Sequence, residues 1–261
     1  MEKIILTPKE FLFICAGLGV TEVYGIIDGY KDVNPADIAT EIRTVQQSLE
    51  NKGYIESDFD GNSAISSEVI EYVGVCAACR KLIAFDSQMK SGGKTNVVYY
   101  FANEKVVKSE RKDDVYHLSY VDANIIGNEI KDGIKLDLID SPQQFNKVHI
   151  PQRELEKIKK MVTANDKKNA TDAMQKYFDA DFANIILSSF EKKENFFSVV
   201  AVDFTLQEDN VKSIMFINSK HANIKLQPIV VDLKTEIEFE EIDEKTVFDF
   251  IDKQTGDEAN G

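Results

Sequence analysis

What most constrains the fold of this chain is that one sequence pattern occurs twice, between residues 80 and 131 and again between 196 and 252. In the first copy Ala84-Phe85-Asp86 closes a strand-like run, and Val97-Val98-Tyr99-Tyr100-Phe101-Ala102-Asn103 makes the next. Ala201-Val202-Asp203 and Ile214-Met215-Phe216-Ile217-Asn218 hold the same places in the second copy. Tyr116, Leu118 and Tyr120 then alternate ahead of Asp122, as Thr235, Ile237 and Phe239 alternate ahead of Asp243. Each copy ends on a helical spacing, with Asp122, Ile126 and Ile130 mapping onto Asp243, Val247 and Ile251 at one constant offset. Period-two alternation reads as strand and the spacing of four as helix, so the pattern predicts two divergent copies of a β-meander followed by a helix. The class expected is α+β, with halves 1–138 and 149–252 related by an approximate twofold axis, sharing one antiparallel sheet, and joined by a linker at 139–148.

The helices ahead of the meanders carry their own start signals. Thr7-Pro8-Lys9-Glu10 has capping-box spacing with proline in the first turn, and Phe11, Ile14, Cys15 and Leu18 follow on one face. Val20 to Ile27 reads as a short extended segment. Asn34 and Pro35 start the next helix, Ile38, Ile42, Val45 and Leu49 form its predicted buried stripe, and Gly53 ends it. A helix over 66–79 leads into the first meander. In the second half, Ile150-Pro151-Gln152-Arg153-Glu154-Leu155 opens a helix much as Leu6-Thr7-Pro8 does. Met174, Tyr177, Phe178, Phe182, Ile185, Ile186 and Phe190 predict a single long helix over about 170–191. Residues 253–261 read as a disordered acidic tail.

Charge and motifs narrow the function. The chain carries 31 basic and 45 acidic residues, net −14, which repels both nucleic-acid backbones and anionic lipid headgroups. Three cysteines do not make a disulfide framework, and no extended apolar leader or span of ~20 apolar residues is evident, so a cytoplasmic protein is expected. Cys76-Ala77-Ala78-Cys79 has redox spacing, but it falls near the C-terminal end of its predicted helix, where the dipole disfavours thiolate. Two thiols are also too few for a structural zinc. His117, His149 and His221 are scattered, and no P-loop, GxGxxG, HExxH or GxSxG pattern occurs. The expectation is a protein that is not an enzyme and takes no cofactor or metal.

Leu6-Thr7-Pro8-Lys9-Glu10-Phe11-Leu12, the helix exit Leu49-Glu50-Asn51-Lys52-Gly53-Tyr54-Ile55 and the doubled strand-hairpin-strand-helix plan together resemble the EspG-type cytosolic chaperones of type VII (ESX) secretion systems. Relatives of these chaperones stand beside LXG and WXG substrates in Firmicutes. The resemblance covers most of the chain and is one of layout and apolar pattern. It implies a single α+β domain over 1–252 with flanking helical bundles, binding the helical tip of a secreted WXG/LXG-type partner and keeping it soluble and export-competent. In that family the first meander's hairpin loop and a C-terminal helical region touch the substrate. Here the loop is Gln88, Met89, Lys90, Ser91, Gly92, Gly93 and Lys94, and the helical region falls in parts of 151–190 and 243–252. The segment Ser87 to Thr95 reads, on its own composition, as a long flexible connection. Two alternatives stand beside this reading. One is a structural scaffold with no chaperone role. The other is an acidic winged-helix-like regulator, suggested by the exit at Leu49 to Ile55 but opposed by Asp37, Glu41 and Glu50 on a helix that should be basic to read DNA.

Overall fold

In the computed structural model, which describes residues 3–57, 63–136, 147–206 and 211–256, the chain opens with strand β1 (Ile4–Leu6) and helix α1 (Pro8–Gly17). The capping box is present. Thr7 Oγ1 accepts the Glu10 N–H at 3.2 Å, and the Glu10 carboxylate accepts the Thr7 N–H at 2.7 Å. A 3-10 turn at Pro35–Asp37 is capped by Asn34 and leads into α2 (Ile38–Asn51). A separate two-stranded hairpin, β2 (Ile55–Ser57) with β3 (Ser63–Ile65), precedes α3 (Ser67–Ala77). The first meander is β4 (Lys81–Gln88), β5 (Lys94–Ala102), β6 (Lys105–Lys112) and β7 (Val115–Val121), closed by α4 (Ala123–Gly133). Of the predicted linker, 139–146 lie outside the described residues. The second half then runs β8 (Val148–Pro151), α5 (Gln152–Thr163), α6 (Lys167–Met174) and α7 (Ala180–Phe190). It continues through the meander β9 (Asn195–Asp203), β10 (Val211–Asn218), β11 (Asn223–Val231) and β12 (Lys234–Glu241) to α8 (Glu244–Gly256).

The large sheet is antiparallel, in the order β1-β7-β6-β5-β4-β9-β10-β11-β12-β8. If β1 is matched to β8 and each strand of the first meander to its counterpart in the second, this order reads the same from both ends. The repeat in the sequence is therefore a repeat in topology. Both edges are very short strands, one of the devices that keep a sheet from pairing with another chain.

By contacts the chain separates into two units, one of residues 1–84, 96–123 and 201–211, the other of 85–95, 124–200 and 212–261. Each draws a meander tip from the opposite half of the sequence. In the first unit, Phe11, Ile14, Leu49, Val69 and Val73 are buried with Tyr100, Tyr116 and Leu118. Phe11 meets Tyr116 edge-on at 6.0 Å. The segment expected to be extended, Val20 to Ile27, is irregular instead. Its backbone groups find tyrosine hydroxyls rather than a strand: Tyr100 donates to the Tyr24 carbonyl at 2.6 Å, and Tyr116 accepts the Ile27 N–H at 2.8 Å. Gly25 takes φ +79° between them, so the chain cannot stay extended.

The second unit has a core of Ile150, Ile158, Met174, Phe178, Phe182, Ile186, Ile217, Ile224 and Phe239. Here the predicted single helix over 170–191 is two. Asp179 Oδ1 accepts the Phe182 N–H at 2.9 Å and starts α7 afresh, while the apolar period carries on through the break and conceals it. Residues 253–256, expected to belong to the tail, are helical instead: α8 continues to Gly256, with Gln254 buried and the Thr255 hydroxyl bonded to the Ile251 carbonyl at 3.0 Å. Residues 257–261 lie outside the described residues.

The tip of the β11–β12 hairpin departs from its counterpart. Both tips are two-residue turns with positive φ at each position, Asp113-Asp114 in the first half and Asp232-Leu233 in the second. Leu233 has φ +62° and is 98% exposed, so it gains nothing from burial and bears the left-handed strain of a residue with a Cβ. Leu233→Gly should raise stability by about 0.5–1 kcal/mol in urea titration. A fall in stability would show that Leu233 is covered in solution.

Candidate partner-binding surfaces

The hairpin loop singled out in the sequence is shorter and more closed than its composition predicts. Gln88 is the last residue of β4 and Lys94 the first of β5, which leaves 89–93 as the connection. Met89 N–H donates to the Gly93 carbonyl at 2.8 Å, and Gly92 N–H donates back to the Met89 carbonyl at 2.8 Å. Gly92, at φ +93°, supplies a conformation that residues with a Cβ rarely adopt. Lys90, Ser91, Gly92, Gly93 and Lys94 are exposed, whereas Met89 is half-buried and lies back toward Gly93. The loop is tied to the interior of its unit, because Lys90 N–H donates to Asn195 Oδ1 at 3.1 Å.

Glu194, next to that anchor, lines a cavity of about 330 Å³ with Asp181, Asn184, Ile185 and Ser188 of α7 and with His221. A second cavity of about 170 Å³ follows along the same helix and shares Asn184 and Ser188. Asn184 and Ser188 are one helical turn apart, so the two cavities adjoin along α7 as a furrow of mixed polar and apolar lining, beside the strand that anchors the loop and walled at one end by Val162, Lys167, Ala170 and Thr171. The sequence had placed this helix within the region that the family resemblance assigns to substrate. It gave no sign of the furrow, since the apolar residues of α7 dominate its pattern.

The first unit holds a surface that the sequence misplaced. Ile38 and Ile42, expected to be buried, are 38% and 40% exposed; only Val45 and Leu49 of that stripe reach the core. The two isoleucines line an open apolar groove of about 530 Å³ with Leu12, Phe13, Ala16 and Val20. Periodicity marks which face of a helix is apolar, not whether a partner covers all of it. The small residues Ala16 and Gly19 in the lining were the available signal.

The candidate chemical groups do not converge. Cys76 and Cys79 line a cavity of about 360 Å³ with Tyr24 and Phe204, and all three cysteines are free thiols. Burial pushes Cys15 and Cys79 up to about 11, and raises Cys76 well above the ordinary thiol value. Alkylation of the folded protein at pH 7.5 should therefore run on the order of 100-fold slower than for a free thiol, and urea should abolish the difference. Rapid labelling of Cys79 in the folded state would mark it as an activated nucleophile. His149 sits between Glu236 and Glu238, at 3.6 and 3.1 Å. His117 lies in β7 and His221 in the turn before β11. Among the described residues no group of three or more His, Cys, Asp or Glu is placed to hold a metal ion, and no helix is long and apolar enough to cross a membrane.

No protein-family model matches the chain, and no curated protein matches its sequence. Among solved structures it is similar to the Mycobacterium tuberculosis type VII secretion system chaperone EspG5, in a structure of that protein in complex with a PE25-PPE41 dimer. The TM-score is 0.57 at 13% sequence identity, over 98% of this chain and 96% of that chain. The mixed α+β plan, a large antiparallel sheet with eight α-helices among the described residues, is the EspG-like fold.

Proposed function

We propose that this protein is a cytoplasmic chaperone or adaptor of a type VII secretion system, binding a helical secreted partner and keeping it soluble and competent for export. The observation that carries the reading is the near full-length likeness in fold to a chaperone whose solved complex holds a PE25-PPE41 dimer. The partner is a helical protein of the WXG/LXG or a related class. Its binding segment here is the hairpin from Gln88 to Lys94, with the furrow along α7 as the neighbouring wall. Exposed Lys90 and Lys94 put positive charge at the tip of a chain with net charge −14, which suits the carboxylates of an acidic helix end. The gripping surface uses backbone and adaptable side chains rather than reacting groups, and the proposed role is not catalytic. α2 is followed by the β2–β3 hairpin, as in a winged helix, yet Glu41 and Lys52 of that region are engaged by Lys9 and Glu10, and no basic face results.

The test is co-expression with small helical proteins encoded beside it, followed by co-purification. A variant in which residues 88–94 are cut to a tight Asn-Gly turn should stay folded, because that hairpin is a common strand connection, and melt several degrees lower, because buried Asn195 loses the Lys90 N–H. It should also recover little or none of the partner retained by the parent. Undiminished recovery with the shortened loop would remove the site, and failure of every helical neighbour to co-purify with the parent would remove the chaperone reading.

A further inference from the structure

Three buried asparagines of the second unit form one hydrogen-bonded line. Asn195 begins β9, Asn218 ends β10 and Asn223 begins β11, at 1%, 0% and 3% exposure. Asn195 Nδ2 donates to Asn218 Oδ1 at 3.1 Å, and Asn218 Nδ2 donates to Asn223 Oδ1 at 2.8 Å. Asn218 and Asn223 are direct register partners. Ser219 closes the turn between them, its hydroxyl accepting the N–H groups of His221 and Ala222 at 3.1 Å each. At its other end the line leaves these strands, since Asn195 Oδ1 is the acceptor for Lys90 N–H. A backbone N–H can only donate. It therefore holds Asn195 with Oδ1 toward the loop and Nδ2 toward Asn218, and the same orientation is imposed on the next two amides in turn.

Valine or leucine would fill such positions without the cost of burying a carboxamide. An apolar side chain cannot hold one chosen N–H of a neighbouring loop, and a series of amides polarised in the same sense holds it more firmly than one amide alone. We infer that Asn195, Asn218 and Asn223 are positioning residues for the hairpin loop, fixing residues 89–93 in one conformation before any partner arrives. The role in binding rests on the reading of that loop as a partner-binding segment. A loop ordered in advance loses less conformational freedom when it is gripped, so the line acts on affinity without touching the partner. It grips the Lys90 backbone and leaves the residues around it to make the contact.

Hydrogen exchange on the full chain, with no partner present, tests the positioning. Lys90 N–H should exchange at least about 100-fold more slowly than in an unstructured peptide. Asn195→Ala should bring it close to the unstructured rate while amides in the middle of β10 stay protected. Asn223→Ser, two amides away and touching nothing in the loop, should speed Lys90 exchange several-fold. If Asn195→Ala loosens the whole unit, Asn223→Ser, which leaves the Asn195 acceptor in place, is the deciding variant. Fast Lys90 exchange in the parent, unchanged protection in Asn195→Ala, or no acceleration in Asn223→Ser overturns the inference. If the variants free Lys90 yet capture the co-expressed partner as tightly as the parent, the positioning stands and the loop is not the binding segment.

Discussion

Glu10→Ala is expected to lower the free energy of unfolding by about 3 kcal/mol at pH 7, the lower end for breaking a buried ion pair, because the partner Lys52 is partly in contact with water. Glu10 is 1% exposed and serves three donors at once: Thr7 N–H, the Ser48 hydroxyl and Lys52 Nζ, each at 2.7 Å. It thus joins the capping box of α1 to the end of α2. Burial is the largest single influence on its carboxyl and pushes the pKa up, but Lys52, the Thr7 backbone and Ser48 together outweigh it and leave the pKa below the ordinary value. With the folded pKa depressed, the contribution is fully present above the unfolded value of about 4.3 and is lost as pH falls through the lower, folded one. The stability difference between parent and Glu10→Gln should therefore shrink on acidification through that window. A difference that is constant with pH, in urea titrations from pH 7 downward, would show that the carboxylate is not held as an ion.

Phe239→Ala should cost about 4 kcal/mol and lower the melting temperature by roughly 10 °C. Phe239 is fully buried in β12, pairs with Leu226 on one side and Val148 on the other, and meets Phe178 edge-on at 5.4 Å. The ring lies where the sheet meets the chain between α6 and α7, so backbone on both sides resists collapse into the space left behind. Phe239→Leu should recover more than half of the loss, since it refills most of that volume. Equal losses for the two variants would mean that the edge-on ring contact, rather than filled volume, holds this core. Leu233, six residues away on the same hairpin, is predicted to change stability in the opposite direction. The contrast separates burial from hydrophobicity as such.

The doubled plan was legible because alternation and helical spacing survive divergence, and Tyr116 to Ile130 against Thr235 to Ile251 preserved both. What the sequence concealed were choices made by partners distant along the chain. Val20 to Ile27 has strand-forming residues, but the hydroxyls of Tyr100 and Tyr116 take its backbone groups, and nothing near residue 25 announces them. Ile38 and Ile42 continue the stripe of Val45 and Leu49 without a change of period, so their exposure was invisible. Asp179 is an ordinary capping residue, masked by a helical spacing that runs straight through it. The hairpin loop was placed correctly in the chain but judged too long, because Gln88 and Lys94 look like loop residues while their backbones continue the strands. Asn218 only closes a strand-like run in the sequence and nothing marks Asn195 or Asn223, so only folding lines the three up.

The exchange of meander tips between the two units has a consequence for how the chain is made. Residues 201–211 complete the unit begun by residues 1–84, so that unit waits on the ribosome for nearly eighty further residues after its own meander ends at Val121. At ordinary elongation rates the delay is about 4–16 s, long compared with the formation of a hairpin. Throughout that time β4 is made and its neighbour β9 is not, leaving a strand of the first meander open to any extended segment nearby. A protein proposed to cover the exposed surface of others therefore passes through its own synthesis with an uncovered edge, and nascent chains halted before residue 195 are the form in which it most needs a guardian.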